Sequence, residues 1–164
     1  MHSRKNFPTA FFLFSRLLWG FQVIIGTGLF SGYSPLFPGT AGSVIGLGCA
    51  ALLPREWHYY TIIAAGIFSL GTWAADGLEK KWGKDAPRIV IDEVAGMILT
   101  LAPFSKDIVL YGTGFVLFRL MDILKPYPCR RLEKIHGGFG IMLDDIMAAI
   151  YACFLNYGIF ILIG

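Results

Sequence analysis

Two pairs of adjacent carboxylates stand out in this 164-residue chain: Asp92 and Glu93 within IVIDEVAG, and Asp144 and Asp145 within GIMLDDIMAA. Each pair is pressed against apolar sequence, where neighbouring like charges repel unless a cation joins them. Carboxylate oxygens with no histidine or thiolate beside them select hard ions, and Mg²⁺ is the common choice where phosphate is the co-ligand. Such an ion neutralises a phosphate and lowers the pKa of a bound water, with no covalent nucleophile required. Acids at a helix start are also favoured by the macrodipole alone. That explanation weakens when two pairs and Asp122 are expected on one side of the molecule.

A second cluster lies in FRLMDILKPYP, where Arg119, Asp122 and Lys125 recur every three residues and so share one helix face. Pro126 and Pro128 then end the helix. An i,i+3 salt bridge would account for Asp122 on its own, but beside the acid pairs Arg119 and Lys125 are placed to grip phosphate. GYSPLFPGTAGS adds the hydroxyls of Thr40 and Ser43 on a glycine turn that leads into a helix, where backbone amides can receive an anion. No GKS or GKT follows, so this is not a Walker loop, and Thr40 also suits a simple helix cap. HGGFG reads as a flexible turn and His136 as a solvated loop residue. Cys49 and Arg55 match the Cys-x5-Arg spacing of thiol phosphatases, yet AALLP between them has no glycine cradle. Cys49, Cys129 and Cys153 have no CxxC spacing, which argues against zinc and against a disulfide framework.

The elements that must position these groups are apolar. Hydrophobic residues make up 55% of the chain and charged residues 15%, with a mean hydropathy of +0.62, outside the range of ordinary soluble domains. The net charge of +3 is small and its cations form no stripe with interleaved aromatics, so nucleic acid is excluded as a partner in favour of a lipid surface. Apolar segments fall at 11–30, 41–53, 59–75, 94–103, 108–121 and 142–163. A bilayer crossing takes roughly 20 apolar residues. Only 59–75 and 142–163 are comfortable candidates, so 41–53 and 94–103 must be extended, shielded by neighbours or partial. Gly42, Gly46, Gly48, Gly66 and Gly71 are expected to let helices approach closely.

The fold expected is all-α: one domain over 1–164, a multi-pass membrane helical bundle (31–164) preceded by an amphipathic or re-entrant segment (1–30). If the segments from 41 onward alternate across the membrane, the loops 34–40, 76–92 and 125–140 share one side. Helix ends then bring Asp76, Asp92, Glu93, Asp122, Asp144 and Asp145 to that side. Lys80, Lys81, Lys84, Arg88, Arg119, Lys125, Arg130, Arg131 and Lys134 collect there too, against Arg55 and Lys106 on the other, which places it in the cytoplasm. Spanning by 11–30 would carry Arg4 and Lys5 outward, against that rule. A segment lying in the cytoplasmic leaflet, with Arg16 and Gln22 in polar surroundings, avoids the conflict.

In their order along the chain, SPLFPGTAGS, IVIDEVAG, FRLMDILKPYP and GGFGIMLDD resemble the phosphatidylglycerophosphatase A family. The resemblance runs from about Gly28 to Tyr151. It implies Mg²⁺-dependent dephosphorylation of phosphatidylglycerophosphate to phosphatidylglycerol in the bacterial inner membrane, with no obligate protein partner evident. The family's motif acids fall on Asp76, Asp85, Asp92, Glu93, Asp122, Asp144 and Asp145, and its cations on Arg119 and Lys125. The expected mechanism has Asp92, Glu93, Asp144 and Asp145 holding one or two Mg²⁺, and Asp122 as a further ligand or as the base that orients water. Lys125 and Arg119, with the Thr40 and Ser43 turn, would bind phosphate, leaving Asp122, Asp145 and Lys125 as the catalytic set. Two other classes compete. A CDP-alcohol transferase would show DGxxAR...GxxxD...D, of which Asp76-Gly77 supplies only the start, without the Arg. A small proton- or cation-coupled transporter would spread its acids through the bilayer depth.

Overall fold

The computed structural model describes residues 9–104 and 106–163, and among them there are seven α-helices and no strand. These are α1 (Thr9–Gly26), α2 (Pro38–Leu52), α3 (Trp57–Trp82), α4 (Ile91–Leu101), α5 (Ile108–Leu124), α6 (Cys129–Leu132) and α7 (Gly138–Ile163), with a single 3-10 turn at Ser31–Tyr33. Local chemistry sets the ends. α2 starts on Pro38, whose missing N–H costs nothing in the first turn. Asp107 caps α5 by accepting from the amides of Val109 (2.8 Å) and Leu110 (3.0 Å). Lys125 closes α5 in the left-handed region ahead of Pro126, so the chain turns sharply just beyond Asp122.

Helix α4 is the axis of the bundle. Nine of its eleven residues are buried, including Asp92, Met97, Ile98 and Leu101. At 1.5 Å per residue its 11 residues reach roughly 16 Å, about half a bilayer's hydrocarbon core. Its sides are covered by neighbouring helices. α2, α3, α5 and α7 all pack on it. Glycines set the spacing at three of the five positions the sequence suggested. A Cβ on Gly42 would meet the Val90 carbonyl oxygen at 2.8 Å, one on Gly46 the Val94 carbonyl oxygen at 2.7 Å, and one on Gly71 the Met142 sulfur at 2.7 Å. Gly48 and Gly66 face open space. Gly96 brings α4 against α7, with Phe118 and the Asp145 carbonyl at its surface.

Polar clasps hold the end away from the paired acids. Thr113 Oγ1 donates to Asn156 Oδ1 (2.6 Å), and Asn156 Nδ2 donates to the Leu110 carbonyl (2.9 Å), fixing α5 to α7. Tyr60 donates to the Ala50 carbonyl (3.1 Å) and pairs with the Tyr111 hydroxyl at 2.9 Å. Cys49, Cys129 and Cys153 are all free thiols.

Two helices, α3 and α7, are long and apolar enough to cross a membrane. Much of the bundle's outer surface is apolar as well, with Phe14, Leu17, Ile62, Val116, Ile123, Phe154 and Leu162 among the exposed side chains. A patchwork of this extent needs an apolar partner or solvent.

Several boundaries differ from expectation. α3 runs on past Ala75 to Trp82, so Asp76 lies inside a helix rather than at its end, half-exposed and paired with Lys80 at 2.6 Å. α7 begins at Gly138, which puts Asp144 and Asp145 beyond its first turn. Gln22, expected in polar surroundings, packs onto Gly77 of α3, where the missing side chain leaves a groove. Arg16 sits 5.8 Å from the Phe12 ring on its own helix. Arg4 and Lys5 lie outside the described residues, as does Ser105 of the 105–107 turn.

The glycine contacts generate a paired prediction. Gly46→Ala, which pushes on α4 backbone, should destabilise the protein by about 1–3 kcal/mol. Gly48→Ala, on the same helix with nothing beside it, should be neutral or stabilising by up to about 1 kcal/mol. Thermal unfolding in one detergent checks both, and equal losses would show that the α2–α4 contact is looser than described.

Candidate active site

The N-terminal parts of α2, α4 and α7 and the C-terminal end of α5 meet around a pocket of about 290 Å³. Its walls carry six carboxylates, from Asp85, Asp92, Glu93, Asp122, Asp144 and Asp145, and two cations, Arg119 and Lys125. Asp92 and Glu93 come from the first turn of α4, Asp122 and Arg119 from the last turns of α5, and Asp144 and Asp145 from α7. Phe37, Pro38 and Gly39, where α2 begins, close the remaining side.

The two cations are held by carboxylates. Arg119 Nη1 lies 2.8 Å from Asp122 Oδ2 and 3.8 Å from Glu93 Oε1, and donates to Ser43 Oγ at 3.3 Å. Lys125 Nζ lies 2.8 Å from Asp144 Oδ2 and 3.2 Å from Glu133 Oε1. Burial works against the charge on Lys125, but the hydrogen bond and charge of Asp144 outweigh it and hold the ammonium above its ordinary range. Lys125 is therefore a cation at any physiological pH and not a proton acceptor.

Three carboxylates each keep a buried oxygen free of any such partner. Asp92, Glu93 and Asp145 each offer an oxygen within 4.8 Å of the others. Asp92 Oδ1, Glu93 Oε2 and Asp145 Oδ2 are buried with no hydrogen-bond partner, and Asp92 and Asp145 are only 6% and 3% exposed. Orphaned buried carboxylate oxygens are costly. A hard divalent cation is the group whose chemistry satisfies all three at once, so the donor set fits Mg²⁺.

The sequence-derived residues separate here. Asp144, expected beside Asp145 on a metal, turns instead to Lys125. Successive residues on a helix point about 100° apart, so one acid of the pair faces the cation and the other faces α4. Ser43 is buried, donates to the Gly39 carbonyl (3.0 Å) and supports Arg119 rather than facing the pocket. Thr40 is not among the lining residues. Asp76 stands apart on α3, and Cys49 lines an apolar cavity between α1 and α4. His136 is exposed. Glu133 and the lining residues Phe37, Pro87 and Ile89 were missed. Only Glu133 left a trace in the sequence, as an acid shortly after the KPYP turn that carries Lys125.

The pattern of the family described as Phosphatidylglycerophosphatase A matches residues 24–160. The chain belongs to the phosphatidylglycerophosphatase A family. It is 34% identical over 138 residues to the Escherichia coli protein named phosphatidylglycerophosphatase A, covering 82% of this chain and 80% of that one. It is 38% identical over 141 residues to the Haemophilus influenzae protein of the same name, covering 83% and 86%. A Bacteroides thetaiotaomicron protein, named "Putative phosphatidylinositol-3-phosphatase", is 39% identical over 143 residues, covering 81% and 89%. No solved structure matches the chain. Family membership makes this protein a phosphatase, and the matched residues contain every lining side chain of the carboxylate pocket.

Gly39 supplies a test of the geometry. A Cβ there would strike Glu93 Oε1 and sit 3.1 Å from the Arg119 guanidinium, inside the pocket rather than in the core. Gly39→Ala should leave the melting temperature nearly unchanged and lower kcat/KM for phosphate release by about tenfold or more. Full activity in that variant would mean that substrate does not use the Glu93–Arg119 wall.

Proposed function

We propose that this phosphatase hydrolyses the terminal phosphomonoester of phosphatidylglycerophosphate, giving phosphatidylglycerol and inorganic phosphate, with Mg²⁺ as cofactor. The observation that carries the reading is the convergence beside Arg119 of the Asp92, Glu93 and Asp145 carboxylates, each of which also has a buried oxygen without a hydrogen-bond partner. The names borne by the Escherichia coli and Haemophilus influenzae relatives favour that substrate. The bundle is read as multi-pass in the bacterial inner membrane, with the pocket facing the cytoplasm. The alternating helices and the cations at the pocket end, among them Lys84, Arg130 and Arg131, support that orientation.

Asp92, Glu93 and Asp145 would hold the metal. Bound there, Mg²⁺ would offset charge on the phosphoryl oxygens and acidify water. Arg119, fixed by Asp122 and Ser43, presents its guanidinium to the phosphate, and its Nε is buried without a partner. Lys125 adds a second positive charge at the rim. Water attacks phosphorus as the ester P–O bond breaks. Asp122 is the acceptor for the water's proton through the oxygen not used by Arg119, the leaving alkoxide is protonated by solvent water and departs as the lipid's hydroxyl, and Asp122 returns its proton to solvent as phosphate leaves. Concentration of the acids in one pocket favours this enzyme over an ion-conducting bundle, whose acids would be distributed along its length.

Asp145→Asn removes one ligand charge at constant size. Phosphate release from phosphatidylglycerophosphate in micelles should fall by about 100-fold or more in this variant, and in wild type under EDTA, with Mg²⁺ restoring only the wild type. Release indifferent to both treatments would remove the metal-carboxylate reading. The Bacteroides thetaiotaomicron relative's name supports a second substrate, phosphatidylinositol 3-phosphate. Phosphatidylglycerophosphate should be preferred by about tenfold in kcat/KM, and the reverse order would transfer the assignment to the inositol lipid.

A further inference from the structure

A separate cavity of about 470 Å³ lies between α1, the Ser31–Tyr33 turn and the end of α3, and shares no lining residue with the carboxylate pocket. Aromatic rings and aliphatic side chains form its walls. Trp19 meets Trp82 edge to face at 5.8 Å, and Tyr33 meets Trp82 the same way at 6.5 Å, with Val23 and Phe30 alongside. Two cations sit against these rings. Lys81 Nζ is 3.6 Å from the Trp19 centroid, and the Arg88 guanidinium carbon is 5.3 Å from that of Tyr33. Neither cation is in a salt bridge among the described residues, and no carboxylate lines the cavity.

The surroundings narrow the occupant. Phe12, Phe14, Leu17 and Phe21 of α1 are all more than half exposed, so the cavity adjoins an apolar surface suited to acyl chains. Trp and Tyr with nearby Lys and Arg are the side chains that settle at the headgroup level of a bilayer. One ligand answers both halves: a headgroup of net negative charge for Arg88 in the wall and Lys81 on the outer Trp19 ring, and a hydrocarbon chain for Val23 and Phe30. We propose that this cavity is a second lipid site, taken by an anionic diacylglycerophospholipid of the surrounding bilayer and distinct from the substrate site.

The backbone gives the site a route to the active centre. Gly32 packs directly on the Arg88 carbonyl, and the Val90 amide donates to the Gly26 carbonyl at 2.9 Å. Pro87 and Ile89, on either side of Arg88, line the carboxylate pocket. A lipid seated on Arg88 therefore braces the segment that leads into Asp92.

The inference rests on the bilayer residence proposed above, but on neither the metal nor the substrate assignment, so its test needs no turnover. Protein in detergent is given equimolar phosphatidylserine and phosphatidylcholine, neither of which carries a phosphomonoester, and retained lipid is counted by native mass spectrometry. Wild type should retain the serine lipid over the choline lipid by roughly tenfold. The double variant Lys81→Gln/Arg88→Gln should lose that preference. Gly20→Leu, which extends into the cavity from a position where a Cβ meets nothing within 4 Å, should lose retention of both lipids without a fall in melting temperature. Arg119→Gln should retain lipid as wild type does. Equal retention of the two lipids by wild type, a preference that survives the double variant, or its loss in Arg119→Gln would overturn the proposal.

Discussion

The structure depends on how closely α4 can be approached. It is a short helix whose first turn carries two acids, and it is tolerable in an apolar setting only because other helices surround it. Gly42 and Gly46 let α2 lie on its backbone, and Gly96 does the same for α7. The close approach has an electrostatic result. Asp145 comes to within ligand distance of Asp92 and Glu93, and the mutual repulsion of three poorly solvated carboxylates has to be offset by something positive. Packing and chemistry are thus one arrangement, because the small residues that tighten the core are what force the acids together.

Charge in the pocket is sorted as well as concentrated. Arg119 is taken by Asp122 and Glu93, Lys125 by Asp144 and Glu133, and the remaining oxygens are left bare. This division leaves Asp92 and Asp145 without an ion pair to either cation, while Glu93 touches Arg119 through one oxygen only. It also orients the arginine, whose planar fork has a defined direction only while Asp122 and Ser43 hold it. An incoming phosphate would meet positive groups that are already in position, at small reorganisation cost.

Much of this was legible in the residues. The paired acids, Asp122, Arg119 and Lys125 all line the pocket, because helix periodicity and the alternation of apolar segments are enough to bring helix ends to one side. Periodicity could not say which acid of a pair turns inward. That depends on rotation about the helix axis, and the pair expected to share a metal divides in the structure, with Asp144 on Lys125 and Asp145 beside Asp92 and Glu93. Asp76 falls inside α3 rather than at its end because nothing in the composition of residues 76–82 stops the helix, whose charged last turns remain helical. Thr40 and Ser43 looked like anion ligands by type, but α2 begins at Pro38 and winds Ser43 inward, under Arg119. Asp85, which the family resemblance included, reaches the pocket from a loop in a left-handed backbone conformation, for which no sequence period exists.

The brevity of α4 also bears on how such a molecule is made. A helix about half as long as the bilayer is thick, with two acids at its start, has no stable resting place of its own in lipid. Its surroundings are supplied partly by α2 and α3, which precede it in the chain, and partly by α5 and α7, which follow it. Asp145 sits on the last of these. Without α7, α4 would sit in a half-built cage and the pocket would lack Asp144 and Asp145, so the carboxylate cluster comes into being only when the far helix docks, and α4 is a segment whose fold is decided by a partner distant in sequence.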